Sequence, residues 1–262
     1  MSLTGKTPSQ TFADLLYVDN SNSGVDSTYR QVKSGNGNNA GAKIGNKGIL
    51  VQPDSNNTQT LDVQNSAGNS KLLVDTSNDT VKALGHHVNT MYVNFGISSS
   101  ISNGWSAGKH FAVPFMGNNH SSTVQDDTNF GTGTEPNTSF TTAASSIANS
   151  SLIVPFMWFI PDNISIDAVY SIEGADAATG DTTRMHLLSY DFTSGSTSAL
   201  TNGTLLAHNN DVTNAGSEQA YLSTWTIDSA SVAANKVVLA FFISDSVNSD
   251  YSLNITVKYH LT

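Results

Sequence analysis

The stretch DYSLNITVKYHLT, residues 250–262, alternates between apolar and polar side chains without a break. Successive side chains of a β-strand point to opposite faces of a sheet, so this pattern predicts a strand with one buried face. The predicted inward residues are Tyr251, Leu253, Ile255, Val257, Tyr259 and Leu261. The stretch ISIDAVYSI, residues 164–172, alternates similarly and predicts that Ile164, Ile166, Ala168, Tyr170 and Ile172 point inward.

The rest of the C-terminal region repeats this pattern. Further strands are predicted at residues 91–97, 109–116, 152–160, 183–192, 203–208, 220–227 and 236–244. Turn-forming residues separate the strands, and helix-forming surface residues are scarce, with Glu occurring three times. We therefore predict an all-β protein in which residues 88–262 form a jelly-roll β-sandwich head domain.

Two of these predicted strands, LIVPFMWFI at 152–160 and KVVLAFFIS at 236–244, are apolar on both faces. A strand of a two-layer antiparallel sandwich normally exposes one face to water. We therefore expect their outward face, including Val238 and Phe242, to contact another subunit. Pro114 and Pro155 cannot donate to a strand ladder and are expected at edges or bulges.

The N-terminal region has shorter strands that end in turn residues. LLYVDNSNS (15–23), ILVQPDSNNT (49–58) and LLVDTSNDT (72–80) each run from an apolar triplet into a cluster of Asp, Ser and Asn. The glycine-rich stretch SGNGNNAGAKIGNKG between the first two has loop composition. Strands this short bury too little apolar area for an independent core. We predict that residues 15–87 form a β-hairpin or β-prism-like stalk that closes around a threefold axis.

Specific residues follow from this trimeric stalk. The predicted trimer contacts in the stalk are Leu61, Val63, Leu72 and Val74. Residues 1–14 are polar and are predicted to be an anchoring arm. The apolar cluster at its end, predicted to plug into a larger particle, consists of Phe12, Leu15, Leu16 and Tyr17.

The composition excludes several classes of function. Only 12% of the residues are charged and the formal net charge is -10. Nucleic-acid binding requires clustered Lys and Arg, so we set that class aside. The longest apolar run has nine residues, whereas a membrane-spanning helix needs roughly 20. The N-terminus lacks the apolar stretch of a signal peptide, and the absence of Cys removes thiol chemistry.

A search for catalytic motifs favours a protein without enzymatic activity or cofactor. GKT at 5–7 lacks the preceding glycine of a phosphate-binding loop, and no G-x-S-x-G elbow is present. The carboxylates that cluster near predicted loops are interpreted as turn residues: Asp162, Asp167, Asp176 and Asp181. His86 and His87 lie at the predicted junction of stalk and head, and whether they bind an ion at a threefold axis stays open.

Residues 11–85, from TFADLLYVDNSNSG to LLVDTSNDTVKAL, resemble the N-terminal modules of virion proteins of tailed bacteriophages, especially fibre-like and head-decorating proteins of marine phages. The motif D-x-x-N-x-x-V-K, here Asp75 to Lys82 before Gly85, is frequent in phage fibres as the last hairpin before a distal domain. The stretch from Trp158 to Phe192 looks like the C-terminal domain of similar proteins. The resemblance carries no individual functional residue with it.

The residues and the resemblance together predict a homotrimeric head fibre or capsid-decoration protein on the virion surface, assembled in the host cytoplasm, whose N-terminus docks on the capsid or tail. The alternative is a tail-associated adhesin that binds a host glycan, and a depolymerase is a third option. For the adhesin, Trp105 on a glycine-flanked loop is the candidate glycan contact, with Tyr251 as a second aromatic.

Overall fold

The computed structural model describes most of the chain in nine segments: residues 15–21, 23–97, 107–116, 130–140, 153–176, 179–195, 200–216, 218–246 and 250–262. The chain divides into two compact units, one ending at Val88 and the other beginning at Asn89. The regular secondary structure in the described parts of both units is almost entirely antiparallel strand, which confirms the all-β prediction.

The N-terminal unit contains two separate four-stranded sheets. Its strands are β1 (Leu16–Val18), β2 (Arg30–Ser34), β3 (Asn39–Gly45), β4 (Gly48–Val51), β5 (Leu61–Gln64), β6 (Ser70–Asp75), β7 (Thr80–Ala83) and β8 (His86–His87). Strands β1 to β4 pair in chain order in one sheet, and β5 to β8 pair in chain order in the other. Each sheet is therefore a meander of short hairpins.

The turns of this unit explain the repeated Asp/Ser/Asn clusters. Asp75 ends β6, and its carboxylate accepts the backbone N–H groups of Ser77 and Asn78 at 3.0 Å and the Asn78 amide at 2.8 Å. The Asn78 side chain, together with these N–H groups, lowers the pKa of Asp75. The next hairpin turns on Leu84 and Gly85, both at positive φ, as a two-residue type I′ turn requires.

The prediction that SGNGNNAGAKIGNKG is a loop is wrong. Strand β3 lies inside this stretch and pairs with β2 on one side and β4 on the other. Its glycines remove side chains without preventing hydrogen bonding, because the ladder uses backbone groups. The glycine-rich composition therefore predicted a loop where the backbone forms a strand, and the register of that strand is set by its neighbours.

The C-terminal unit contains two larger sheets. Its strands are β9 (Thr90–Ile97), β10 (Phe111–Val113), β11 (Trp158–Phe159), β12 (Ile164–Asp176), β13 (Thr182–Asp191), β14 (Thr201–His208), β15 (Val212–Thr213), β16 (Glu218–Thr224), β17 (Thr226–Ile227), β18 (Ser231–Val232), β19 (Lys236–Ser244) and β20 (Asp250–Leu261). One sheet has the order β16-β12-β20-β9, with β18 beside β12. The other has the order β10-β19-β13-β14-β17, with β11 beside β19 and β15 beside β13.

The main core lies between these two sheets. Apolar residues from the inner faces of both sheets form one buried cluster, which includes Ile255 of β20 and Leu187 of β13. Val238 and Phe242 belong to this cluster and are fully buried. The prediction that they contact another subunit is therefore wrong, because β19 turns these side chains inward and Phe242 packs on the Tyr251 ring at 5.0 Å.

The opposite face of β19 is also covered, but by the chain itself. Val237, Leu239 and Phe241 lie in a second buried cluster with residues of the segments around 130–140 and 153–156. The Phe130 and Phe241 rings pack with centroids 5.6 Å apart. A third layer of irregular chain thus explains why this strand is apolar on both faces, without a second subunit.

The prediction of one long strand at 152–160 is also wrong. Residues Val154–Phe156 form a short 3-10 helix, and only Trp158–Phe159 are extended as β11. Pro155 sits at the start of this helix, where its missing N–H costs no hydrogen bond. Most of this stretch therefore packs on the seven-stranded sheet and does not form a strand within it.

Strand β12 changes face in its middle. Its register with β20 shifts between Ile166 and Ala168, which is a β-bulge at Asp167. Ile164 and Ile166 point inward as predicted, but beyond the bulge Val169, Ser171 and Glu173 are the buried residues. One extra residue in a strand reverses the alternation that follows it. The prediction that Ala168, Tyr170 and Ile172 point inward is therefore wrong.

Candidate functional site

The first sheet of the N-terminal unit has one apolar and one polar face. Cross-strand partners share a face, and alternation along each strand assigns the others. The apolar face consists of Leu16, Val18, Val32, Ala42, Ile44, Ile49 and Val51, beside Arg30 and Ser34. The opposite face carries Tyr17, Gln31, Lys33, Lys43 and Leu50. On the apolar face, Leu16 is 68% and Ile49 is 69% exposed.

The second sheet repeats this arrangement. The predicted trimer contacts pair directly, Leu61 with Val74 and Val63 with Leu72, so all four lie on one face. Val81 and Ala83 extend the same face on β7. Leu61, Val63, Leu72 and Val81 are all exposed. The structure thus brings the four predicted contacts of the stalk together on one surface that the described chain leaves open.

The described residues of the N-terminal unit consequently form almost no core. Among its described residues Val32 is the one buried apolar side chain. Burying a Val, Leu or Ile side chain is worth about 1.5–3 kcal/mol, and two uncovered faces forgo most of that gain. Isolated hairpins and small single-layer sheets are marginal in water. These two apolar faces, here called the stalk faces, are the leading candidate for a binding surface.

The predicted anchor cluster is only partly described. Phe12 lies outside the described residues. Leu15, Leu16 and Tyr17 are exposed, with Leu16 on a stalk face and Tyr17 on the opposite face of the same strand. Because their side chains diverge, these residues cannot all enter one pocket while β1 keeps its pairing. Their role as an anchor stays a prediction.

The aromatic residues proposed for glycan binding have different outcomes. Trp105 lies outside the described residues. Tyr251 is fully buried, and its hydroxyl lies 3.1 Å from Asp181 Oδ2 and 3.0 Å from Ser244 Oγ. The suggestion that Tyr251 is an exposed sugar platform is therefore wrong. The predicted alternation, which places this ring inward, is correct.

An open groove of about 520 Å³ lies on the outer face of the five-stranded sheet. It is lined by Asn94, Phe95, Gly96, Ile97, Met116, Ile172, Gly174, Ala220, Ser252, Leu253 and Asn254. The register places Ile172, Asn254 and Gly96 in one row across β12, β20 and β9, and Leu222 of β16 lies on the other side of Ile172. Sequence reasoning missed this groove, because the bulge at Asp167 turns Ile172 outward.

A buried carboxyl group lies between the two sheets beyond the same bulge. Glu173 is 1% exposed, and both its oxygens lie within 2.9 Å of the Thr183 hydroxyl. Burial raises the pKa of Glu173 to about 7, partly offset by the Thr183 hydrogen bond. A protonated carboxyl fits this contact well, since it can donate to Thr183 Oγ1 while that hydroxyl donates to Val212 O at 3.3 Å.

Two buried histidines, His110 and His186, lie on the outer side of the seven-stranded sheet. The His110 and His186 rings pack edge to face with centroids 5.3 Å apart, and His110 Nδ1 lies 3.0 Å from Gly131 O. Burial lowers the pKa of His186 to about 3 and also lowers the pKa of His110. Both rings are therefore neutral at neutral pH and act as packing groups.

Comparison with known proteins adds no family assignment. No protein-family model matches the chain, and a search of the curated proteins found no match. Within the described residues, no helix is long and apolar enough to cross a membrane. Functional inference therefore rests on the stalk faces, the groove and the sequence resemblance.

Proposed function

We propose that the chain is a non-enzymatic structural protein of a bacteriophage virion, a homotrimeric head fibre or capsid-decoration protein. In this proposal the N-terminus docks on the capsid or tail. Three N-terminal units form a β-prism-like stalk, and the C-terminal unit faces outward as a jelly roll. The resemblance of residues 11–85 to phage fibre modules supports the virion assignment.

The observation that carries the proposal is the pair of stalk faces, each of which exposes several apolar side chains. Each face is continuous across its sheet, and each belongs to a unit with one buried apolar residue among those described. A surface of this kind needs a cover of equal size and matching apolarity. Identical copies supply such a cover in fixed stoichiometry. In an assembly with closed rotational symmetry, every copy of the face is covered. Folding and assembly of the stalk would then be one process.

The strand order of the C-terminal unit supports the jelly-roll part. One sheet has the order β16-β12-β20-β9, and the facing sheet contains the order β10-β19-β13-β14. The chain crosses between the sheets from β9 to β10, from β12 to β13 and from β19 to β20. Such repeated crossing is the pattern of two interlocked Greek keys, an arrangement common in viral capsid and lectin domains.

Adjacent leucines on β6 provide a matched test of the stalk. Leu72 lies on a stalk face, whereas Leu73 lies on the opposite face between Asp62 and Lys82. We expect Leu72→Lys to dissociate the trimer, because three ammonium groups near one axis would be desolvated and would repel each other. Leu73→Lys should keep the trimer. Light scattering at micromolar concentration measures both, and an unchanged mass for Leu72→Lys would contradict the proposal.

The virion assignment needs its own experiment. Antibodies against the C-terminal unit should label purified particles of the phage that encodes this chain, at regular positions on the capsid or tail. Labelling of infected-cell lysate with none on purified particles would contradict a structural role. This result is independent of the oligomeric state, so the two parts of the proposal can fail separately.

A second candidate function is a receptor-binding adhesin. The specific observation that favours it is the uncharged groove on the five-stranded sheet, which has the size of a small-ligand site. This role is compatible with attachment to a virion, since an outward-facing domain is the part that meets a host surface.

A further inference from the structure

We propose that the groove on the outer face of the five-stranded sheet binds a short segment of a neutral carbohydrate. Its volume of about 520 Å³ suits a ligand of a few sugar rings. This inference concerns the C-terminal unit alone and does not rest on the trimer or on the virion assignment.

The floor of the groove exists because small residues lie side by side on the outer face of the sheet. Ala220, Gly174 and Ser252 form one row across β16, β12 and β20, and Gly96 of β9 lies in the next row, opposite Asn254. A Cβ at Gly96 would come within 2.8 Å of the Leu253 carbonyl oxygen, so this position requires glycine. A Cβ at Gly174 would meet Ser252 Cβ at an ordinary 3.9 Å. Glycine at 174 is therefore dispensable for packing, and its effect is to keep the groove open.

Polar groups in the groove are available for a ligand. Thr256 Oγ1 donates to Asn94 Oδ1 at 2.9 Å, which orients that amide and leaves its N–H groups to donate. Within the described residues, the Asn254 amide and the Ser252 hydroxyl make no side-chain hydrogen bond. Two amides and a hydroxyl offer both donors and acceptors, as the hydroxyl groups of a sugar require.

The remaining lining is aliphatic. Ile172 and Met116 are exposed at 52% and 61%, and they flank the amides. A pyranose ring presents C–H groups on its faces and hydroxyl groups around its rim, so it can pack on aliphatic side chains while its rim reaches Asn94 and Asn254. The groove thus combines the two kinds of contact that a sugar needs.

The charge of the groove selects among ligands. The chain as a whole has 21 acidic and 11 basic residues, yet none of the described side chains that line the groove is ionisable as an acid or base at neutral pH. An acidic polysaccharide or a phosphate would lack a cationic partner there. A neutral carbohydrate needs no cationic partner, and its hydroxyl groups can pair with the Asn254 amide.

Calorimetric titration of the full-length protein tests the inference. The probes are short neutral oligosaccharides of the gluco, galacto, manno and xylo series, with an oligogalacturonate as the acidic comparison. We expect one neutral series to bind. Gly174→Val should weaken that binding more than about tenfold by filling the groove, and Asn254→Ala should weaken it about fivefold through loss of a neutral hydrogen bond. Thr224→Val, on the same face but outside the groove, should bind normally.

Four results would overturn the inference. The first is no binding by any neutral series, and the second is preference for the acidic probe. The third is a neutral probe whose affinity survives both Gly174→Val and Asn254→Ala in folded protein, as judged by an unchanged melting temperature. Asn254 is an exposed strand residue, so its variant reports on binding even if Gly174→Val proves unstable. A mass that falls on Gly174→Val would identify a second copy as the occupant and would also overturn the inference.

Discussion

The buried carboxyl group of Glu173 predicts an unusual dependence of stability on pH. Its pKa is about 7 in the folded protein, compared with 4.5 for an unperturbed Glu. The folded state therefore binds a proton that the unfolded state releases between these two values. Because the native state binds more protons in this window, stability falls as the pH rises from about 4.5 to about 7, and the loss is complete above it.

The magnitude follows from the shift. A difference of about 2.5 pKa units corresponds to about 3 kcal/mol at 1.36 kcal/mol per unit. Glu173→Gln replaces the carboxyl by a neutral group of the same shape that can still pair with Thr183. The variant should match the wild type near pH 4 and exceed its free energy of unfolding by about 3 kcal/mol at pH 8.

Urea denaturation followed by tryptophan fluorescence measures this difference, because Trp158 and Trp225 are buried in the same unit. The Trp225 indole N–H also donates to Ser171 Oγ at 2.9 Å. Ser171 lies two residues before Glu173 on β12 and on the same face. Glu135→Gln, at an exposed carboxylate, is the matched control and should show no such trend. If the difference between wild type and Glu173→Gln stays constant from pH 4 to pH 8, the reasoning is refuted.

Three further predictions test packing and backbone geometry. Phe242→Ala should cost about 3–5 kcal/mol of unfolding free energy without changing subunit number, because this ring lies in the core of one chain; a change of mass would restore it as a contact. Gly203→Ala should lower the melting temperature, since a Cβ would approach Thr138 and the Tyr190 ring to 2.7 Å. Leu84→Asn should raise it, because Leu84 occupies a positive-φ turn position and is 70% exposed; a lower value would contradict the turn assignment.

The strands that sequence reasoning placed well are long. The prediction of 236–244 coincides with β19, and the alternation in 250–262 predicted the buried residues of β20 from Tyr251 to Tyr259. In β20 one sheet face is buried and the other is at least partly exposed, so the local alternation and the burial in the folded protein agree. Leu261, at the end of β20, is partly exposed because strand ends lose their cover.

The failures have identifiable causes in three dimensions. The bulge at Asp167 adds one residue to β12 and reverses the faces beyond it, which no alternation count detects. This reversal turned Ile172 outward into the groove and Glu173 into the core, so the same event hid both sites. Val238 was misassigned because β19 is apolar on both faces, so its pattern does not show that the Val238 face packs between the sheets and that distant segments cover the face of Val237 and Phe241.

The stalk face of the second sheet was predicted because its signal is local, whereas that of the first sheet was not, since β3 has loop composition. Leu61 and Val63, like Leu72 and Val74, alternate within single strands, and a short turn brings the two pairs together. The alternation within these strands does not show what covers the faces. For this reason the trimer is a proposal, whereas the shared face is a structural observation.

The central claim is that copies of this chain cover the stalk faces of one another. Sedimentation equilibrium of the wild-type protein at micromolar concentration tests it most directly. The account predicts a single species of about 83 kDa, three times the 27.7 kDa of one chain. A stable, folded monomer of 27.7 kDa whose stalk faces remain open to solvent would contradict it.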